Sequence, residues 1–310
     1  MNRRLLQVAL MAGLLASCSP QGDLKSRKVS LIVKSLGDPF YVSLAAGAQA
    51  AAAELNLDLV ILGIEKETHV ERQIALVENE IIKRVGVILI SPADSKALIG
   101  VLKRAKEKGI ALLSVDMPLD ETLVKDQGLS IPFIGPDHRA VGRKVGEYLI
   151  QRLGGKGKVA VLTGIPGVLS GDLCAQGFVE ACKGASGIEI AAQRSANGRR
   201  KDAAEAMADI LKDHPDLAGV FVLNQDMTLG VLDGLRANGK EKGIAMVGCG
   251  RGNEIDDALA AGRLTATIDM RPEDLGRTAI GLARRLLAGE SIPSETAAAW
   301  DLVEARSPAK

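Results

Sequence analysis

The sequence predicts an α/β protein made of two doubly wound, Rossmann-like lobes. Its 310 residues suit two domains of about 150 residues each. From residue 29 onward, short apolar runs typical of buried parallel strands alternate with segments of helical spacing. This alternation occurs twice, and a glycine-rich segment, 154–157, separates the two halves. Two such β-α-β runs favour two lobes that face each other, with a ligand cleft between them.

The first half contains the elements of one lobe. Strands are predicted at Val29–Val33, Leu57–Ile64, Val85–Ile90, Ile110–Val115 and Ile131–Gly135. Apolar faces indicate helices from Phe40 to Leu55, from Val70 to Ile81, from Leu98 to Ala105 and from about His138 to Leu153. Thr68 and Glu71 predict a capping box for the second helix, and Asp94 is expected to start the third.

The second half repeats the same alternation. Strands are predicted at Lys158–Thr163, Ile188–Gln193, Gly219–Leu223, Ile244–Val247 and Thr265–Ile268. Helices are predicted near Ser170–Cys182, Arg199–Asp213, Gln225–Asn238, Asn253–Ala261 and Glu273–Leu287. Cys174 and Cys182 fall on one of these helices, roughly 12 Å apart along its axis, which is beyond the reach of a disulfide. We expect these two cysteines and Cys249 to be unpaired, small, partly buried apolar residues.

Composition excludes several kinds of function. Lysine and arginine together number 39 and aspartate and glutamate 38, so the net charge of +1 gives no general electrostatic reason to bind nucleic acid. Three histidines and four cysteines leave little material for a metal or histidine-based catalytic centre, and no nucleophile elbow is present. We expect a protein that is not an enzyme and has no cofactor and no metal.

The N-terminus has the pattern of an export signal. Met1–Arg4 is positively charged, and the apolar run Leu5–Leu15 is shorter than the about 20 residues that a membrane span needs. Leu15-Ala16-Ser17-Cys18 resembles the bacterial lipoprotein processing motif, which implies a signal peptide at 1–17 and lipid attached to Cys18. An ordinary signal peptide with an incidental cysteine is the alternative. The polar segment 18–28 is predicted to be a tether.

Ligands of doubly wound sheets bind beyond the carboxyl ends of the strands, so the loops there decide function. The first strand is followed by Lys34-Ser35-Leu36-Gly37-Asp38-Pro39-Phe40-Tyr41, and the fourth ends in Ser114-Val115-Asp116. A strand of the second half leads into Leu223-Asn224-Gln225-Asp226. Together these motifs, in order over residues 28–304, resemble the ribose-binding type of periplasmic binding protein, the type I fold.

The resemblance implies the architecture and partners of the protein. It implies an N-terminal lobe of residues 29–136 plus 271–290 and a C-terminal lobe of 137–270 plus 291–306. Three strands form the hinge, with crossings near Pro136, Arg271 and 289–296. A sugar or sugar-like ligand would be captured by hinge closure, and the closed form would feed the permease of an ABC importer. The protein would work at the cell envelope, in the periplasm, with its lipid anchor as its only membrane contact.

The resemblance also implies site residues. Phe40 and Tyr41 lie where aromatic rings stack on a sugar, although Phe40 also fits a helix anchor. Asp38 matches a hydroxyl-binding position, or it caps the helix that starts with Pro39. Asp116 matches the acid that takes ligand hydroxyls. Asn224 matches a ligand-binding amide, or it caps the next helix.

Other positions depart from the pattern of this family. Met117 replaces an arginine, Asp172 lies where an arginine is common, and Lys34 occupies a position that is usually small and polar. Cys249 and Met270 stand at two further ligand positions. We expect Asp38, Asp116 and Asp172 to converge in the cleft with Lys34 as their only opposing charge. Such a cleft suits a polyol or a ligand that bears an amine, such as an amino sugar.

Three other functions compete with this interpretation. The segment 248–253 follows a strand and opens a helix like a dinucleotide loop, but its third glycine is misplaced. The same scaffold forms the effector domain of LacI-type repressors, and the export signal excludes that role. A lipoprotein that reports its ligand to a sensor kinase or chemoreceptor remains an alternative to the importer component.

Overall fold

Residues 27–305, the part of the chain that the computed structural model describes, form two six-stranded sheets flanked by helices. The first sheet runs in the spatial order β11 (Glu295–Ala297), β5 (Phe133–Gly135), β4 (Ala111–Val115), β3 (Val87–Ile90), β1 (Lys28–Val33) and β2 (Asp58–Gly63). The second runs in the order β12 (Asp301–Glu304), β10 (Ala266–Asp269), β9 (Ala245–Cys249), β8 (Leu217–Val222), β6 (Gly157–Thr163) and β7 (Ile188–Ser195). Within these sheets all neighbours are parallel except β10 and β12. The predicted fold class is confirmed.

Helices cover both faces of each sheet in the described chain. They are α1 (Pro39–Glu54), α2 (Val70–Ile82), α3 (Ile99–Glu107), α4 (Glu121–Asp126), α5 (His138–Arg152), α6 (Leu169–Lys183), α7 (Arg200–Asp213), α8 (Gln225–Ala237), α9 (Asn253–Ala260) and α10 (Pro272–Leu287). In β1, Leu31 and Val33 pack into the core beneath α1 and α10, whereas Ile32 packs into the core beneath α2 and α3. Burial on both faces explains why the strands are almost continuously apolar.

The chain passes between the two sheets three times within the described residues. It leaves the first sheet after β5 and enters α5, which packs in the second lobe, and it returns after β10 into α10, which packs against α1. The third passage corrects the expected boundary, because Glu295–Ala297 pair with Phe133–Gly135 in the first sheet. Residues 295–297 therefore belong to the first lobe rather than to 291–306 of the second, and the third crossing lies between Ala297 and Asp301.

Three helix pairs pack closely because glycines face the backbone of the partner helix. A Cβ atom built on each of these glycines would overlap the facing carbonyl oxygen. The facing pairs are Gly47 on Glu273 and Gly276 on Leu44 for α1 and α10, Gly142 on Cys174 and Gly177 on Arg139 for α5 and α6, and Gly230 on Arg200 for α7 and α8. The same device fixes helix positions in both lobes.

Several local predictions are wrong. Helix α2 begins at Val70 with His69 as its N-cap and without a side-chain capping hydrogen bond, so Thr68 and Glu71 form no capping box there. The carboxylate of Asp94 accepts N–H bonds from a turn, and α3 starts only at Ile99. The short elements α4, β11 and β12 were not predicted, because three to six residues carry too little periodicity to identify them.

Cys174, Cys182 and Cys249 are unpaired, as predicted, and all three are buried rather than partly buried. No helix within residues 27–305 is long and apolar enough to span a membrane. The signal segment 1–17, Cys18 and nearly all of the tether 18–28 lie outside the described residues.

Candidate functional site

Lys34 brings a buried charge to the carboxyl end of β1. Its residue is 3% exposed, its Nζ lies 3.3 Å from Oε2 of Glu67, and the same Nζ lies 5.8 Å above the centre of the Tyr41 ring. A buried ammonium group requires a compensating partner, and Glu67 supplies it. Sequence reasoning missed Glu67. The only signal was its place in the loop after β2, at the same edge of the sheet.

Asp38 caps α1, which confirms the structural alternative for this residue. Its Oδ1 accepts a hydrogen bond of 2.8 Å from the Phe40 N–H, and Pro39 starts the helix. The pKa of Asp38 is raised to about 6, mainly by burial. The Phe40 bond and the Lys34 charge lower this pKa, and the charges of Glu67 and Asp226 add to its rise. Because Asp226 belongs to α8, the strand ends of the two lobes face each other here.

The Tyr41 ring is enclosed by the protein instead of facing an open cleft. It is 4% exposed, packs in the core beneath α1, and meets the Phe40 ring edge-on with centroids 5.0 Å apart. Its hydroxyl donates a hydrogen bond of 2.7 Å to Oδ2 of Asp116. A ring enclosed in this way offers no open face to a sugar, so the packing gives no support to the predicted stacking role of Tyr41. Phe40 is half-buried, and for it stacking stays a prediction.

Asp116 lies at the carboxyl end of β4 and is 5% exposed. Besides the Tyr41 bond, Nε2 of His138 lies 3.7 Å from its Oδ1 and 3.2 Å from its backbone oxygen. Burial lowers the pKa of His138, and the charge of Asp116 partly opposes this effect. Met117, which replaces the arginine of the family pattern, is also buried, at 3% exposure. Asp116 is therefore an acid held by neighbours from both lobes.

Asn224 caps α8, which confirms its structural alternative. Its Oδ1 accepts a bond of 2.8 Å from the Met227 N–H, and its Nδ2 donates to the Gly198 carbonyl at 3.2 Å. Gly198 has a φ of 73°, where a side chain is rarely tolerated. These bonds place the amide at the cleft-facing edge of the second sheet, and its contact with a ligand stays a prediction.

Asp172 lies in the first turn of α6, the helix that follows β6. With Gln176, Glu180 and Lys183 it lines a groove of about 340 Å³ between α6 and Gln193 of the edge strand β7. The acidic charges that act on Asp38 come instead from Glu67 and Asp226. Glu67 and Asp226 are therefore acids near Asp38 that the sequence interpretation did not include. The convergence of Asp172 with Asp38 and Asp116 stays a prediction.

Cys249 and Met270 belong to the core of the second lobe. Cys249 is 6% exposed, packs with Cys174 and Phe221, and burial raises the pKa of its thiol to about 12. The alternation of β9 turns this side chain inward, so the packing gives no support to the predicted ligand contact of Cys249. Met270 is half-buried and packs against the same core.

The loops at the strand ends also bear on metal binding and on dinucleotide binding. Within residues 27–305, no group of three or more His, Cys, Asp or Glu side chains is arranged to hold a metal ion. The Gly250–Gly252 loop lies against the Gln225 side chain, so close that a Cβ on Gly250 would meet Gln225 Oε1 at 2.6 Å. The segment that resembles a dinucleotide loop is thus filled by a side chain of α8.

Comparisons with known proteins agree with this geometry. The model of the family described as "Periplasmic binding protein domain" matches residues 29–291. A D-ribose/D-allose-binding protein of Pseudomonas aeruginosa is 33% identical over 266 residues, which are 85% of this chain and 83% of that protein. A D-allose-binding periplasmic protein of Escherichia coli is 29% identical over 95% of this chain and 94% of its own length.

A solved structure shows the same arrangement of lobes. An ABC transporter periplasmic solute-binding protein from Actinobacillus succinogenes, with bound D-allose, superimposes with a TM-score of 0.86 at 29% identity, over 89% of this chain and 97% of that one. Members of this family bind solutes and are not enzymes, in agreement with the sequence prediction. The match over nearly the whole described chain, with two parallel-sheet lobes and three crossings, places the chain in the periplasmic binding protein family.

Proposed function

We propose that the protein is the sugar-binding component of an ABC importer and captures a monosaccharide or a related polyol between its two lobes. The observation that carries this proposal is Asp116, a buried acid at the end of β4 with contacts to both lobes. An ionised carboxylate accepts hydrogen bonds from sugar hydroxyls more strongly than a neutral group does. The curated relatives for ribose and allose support the ligand class.

Capture requires no chemistry. Three crossings between the lobes permit rigid-body closure about a hinge, and contacts from both lobes stabilise the closed state. Asp38 and Asp116 would accept hydroxyl bonds from the first lobe, Phe40 would cover an apolar face of the sugar, and Asn224 would approach from the second lobe. The closed shape is the form that the permease would recognise.

The charges and side chains of the cleft narrow the class of ligand. Met117 removes one guanidinium group of the ribose-binding pattern, and Lys34 is neutralised by Glu67, so the remaining acids favour ligands rich in donors. A polyol or an amino sugar has this character. The relatives described above are named for sugar binding or import, and no observation favours a receptor that reports to a sensor kinase.

The proposal includes export to the cell envelope, which family membership supports, and a lipid anchor, which the sequence around Cys18 supports. Cys18→Ala tests the anchor. Growth with radiolabelled palmitate should label the wild-type protein and leave the variant unlabelled and released from membranes. Equal labelling, or equal release, would contradict the anchor while leaving sugar binding untouched.

A thermal-shift screen of the mature protein tests the ligand class. The panel contains D-ribose, D-allose, D-arabinose, myo-inositol and D-glucosamine, with L-leucine as a control ligand. A sugar at a hundredfold excess over its dissociation constant should stabilise the folded protein by about 2.7 kcal/mol. Stabilisation by leucine alone, or by no sugar in the panel, would contradict sugar capture.

A further inference from the structure

The backbone at Asp116 is strained. Its φ of 68° lies in the left-handed region, which costs free energy for a residue with a side chain. Its N–H donates to the Ile134 carbonyl at 2.8 Å, and the Ser114 hydroxyl donates to the Met117 carbonyl at 2.5 Å. Strained conformations persist where the surroundings fix them, and they concentrate at functional sites. The turn therefore gives the Asp116 carboxylate a definite direction.

Tyr41 fixes that carboxylate from the first lobe. The hydroxyl lies 2.7 Å from Oδ2, and the ring is anchored in the core beneath α1. Burial raises the pKa of Tyr41 well above its ordinary value, and the charge of Asp116 adds to this effect. The hydroxyl therefore keeps its proton and donates permanently to Oδ2, which leaves Oδ1 as the oxygen available to other partners.

His138 reaches Asp116 from the second lobe. It is the first residue of α5, whose Val141 and Val145 pack in the core of that lobe, and it is 7% exposed. Its Nε2 lies 3.2 Å from the Asp116 backbone oxygen and 3.7 Å from Oδ1. Only residues 136 and 137 separate β5 of the first sheet from this helix. The contact therefore joins the two lobes directly at the first crossing.

The charges that face His138 determine its protonation. Burial lowers its pKa most strongly and Lys34 lowers it further, whereas the charges of Asp116 and Asp137 raise it. A neutral imidazole donates one N–H, and at this distance the Asp116 backbone oxygen is the acceptor for Nε2. His138 thus stabilises the left-handed turn without neutralising the carboxylate.

We propose that Tyr41 and His138 are positioning residues that hold Asp116 ready for the sugar, and that His138 does so from the second lobe. This inference rests on the proposed function, because positioning Asp116 matters only if Asp116 binds the sugar. It assigns Tyr41 to orientation of the acid rather than to stacking. It also makes the ligand-binding acid sensitive to the relative position of the lobes, since one of its two holders moves with α5.

The first test compares two identical substitutions by calorimetric titration with D-allose. Tyr41→Phe removes the hydroxyl that holds Asp116, and Tyr148→Phe removes a hydroxyl 3.2 Å from the Glu304 carboxylate in the second lobe, outside the proposed site. Because these are the two tyrosines of the chain, they form a matched pair. We expect Tyr41→Phe to weaken D-allose binding by at least about tenfold and Tyr148→Phe to leave it unchanged. Equal effects of the two variants would overturn the proposal.

The second test needs no sugar and so separates this proposal from the proposed function. The chain has three histidines, His69, His138 and His214, whose ring signals can be titrated by NMR in the ligand-free protein. His138 should titrate below the ordinary histidine range, and Asp116→Asn should lower its pKa further. Tyr41→Phe should raise the pKa of His138, because the Asp116 carboxylate, freed from the Tyr41 hydroxyl, becomes a stronger partner for the imidazole. This variant replaces Asp116→Asn in the test if Asp116→Asn misfolds.

The outcomes are distinct. If wild-type protein fails to bind D-allose while the His138 signal responds to Asp116 as described, the ligand assignment fails and the positioning geometry stands. If His138 titrates normally, or is indifferent to both variants, the positioning proposal is overturned whatever D-allose does.

Discussion

The two lobes present different chemistry at the edges that face each other. In the first lobe, Lys34, Glu67 and Asp116 are largely buried and already paired within the folded chain. In the second lobe, Asn224 bonds to backbone groups and Asp226 remains exposed. Charges in the first lobe lose their water on folding, whereas those in the second lose it only when a ligand is enclosed. The first lobe is thus a preformed half-site, and the second supplies contacts at closure.

The largest expected effect concerns the close packing of helices at glycine residues, a feature that both lobes share. A Cβ on Gly276 of α10 would overlap the Leu44 carbonyl oxygen, whereas a Cβ on Gly281 of the same helix meets nothing within 4 Å. Gly276→Ala should destabilise the protein by about 3 kcal/mol through overpacking, and Gly281→Ala should stabilise it by up to about 1 kcal/mol. Urea unfolding measures both.

Gly142→Ala tests the same packing in the second lobe, where its Cβ would overlap the Cys174 carbonyl oxygen. A loss similar to that of Gly276→Ala would show that both lobes depend equally on this device. If Gly276→Ala and Gly281→Ala behaved alike, close packing would not limit stability in the first lobe.

The next prediction compares the contribution of a buried ion pair to stability with that of an exposed one. Glu67→Gln leaves the buried Lys34 ammonium without its partner and should destabilise the protein by about 2 kcal/mol. Glu180→Gln removes the partner of Arg139 and Arg143 at the surface of the second lobe, where solvent screens the charges, and should change stability far less. Chemical denaturation compares them. Equal losses would remove the distinction between the lobes.

Asp38 gives the first lobe a characteristic dependence on pH. Its pKa of about 6 in the folded protein exceeds the value of 3.8 expected for an unfolded chain, so the folded state holds its proton more tightly. Stability linked to this group is highest below pH 4 and decreases as pH rises through 6. Asp38→Asn keeps the cap, and the gain in stability it gives should be about 2 kcal/mol larger at pH 7 than at pH 4.5. A gain that is the same at both pH values would exclude a raised pKa.

The smallest effect distinguishes two acids of the second lobe. Asp226→Asn removes a charge that raises the pKa of Asp38, so the pH profile linked to Asp38 should shift to lower pH. Asp172→Asn, in the groove beside β7, should leave that profile unchanged. A shift produced by Asp172→Asn instead would support the convergence expected from the sequence.

The elements of the fold were predictable to within a few residues because buried strands and amphipathic helices carry strong periodic signals. The predicted strand Val29–Val33 is observed as Lys28–Val33, and the predicted helix Glu273–Leu287 as Pro272–Leu287. The third crossing was misplaced because β11 has three residues, and its pairing with β5 depends on the rest of the first sheet.

The candidate site was less predictable than the fold. Asp38, Phe40, Asp116 and Asn224 could be placed near the ends of strands because they follow strands in recognisable motifs, and their contacts with a ligand stay predictions. Cys249 and Tyr41 were also placed among the ligand contacts, and only packing shows that both side chains are enclosed in cores. Glu67 and His138 were missed because their partners, Lys34 and Asp116, lie 33 and 22 residues away.

The sequence alone determined the alternation of strands and helices, the resemblance to periplasmic binding proteins and the loops in which ligand contacts must lie. These properties are local, or they depend on the order of motifs along the chain. Only the tertiary structure decided which acids are neighbours, that Lys34 is neutralised by Glu67, and that Asp116 is held by Tyr41 from one lobe and His138 from the other. The physical reason is that burial and pairing of charges depend on distances between residues far apart in sequence, which local patterns do not encode.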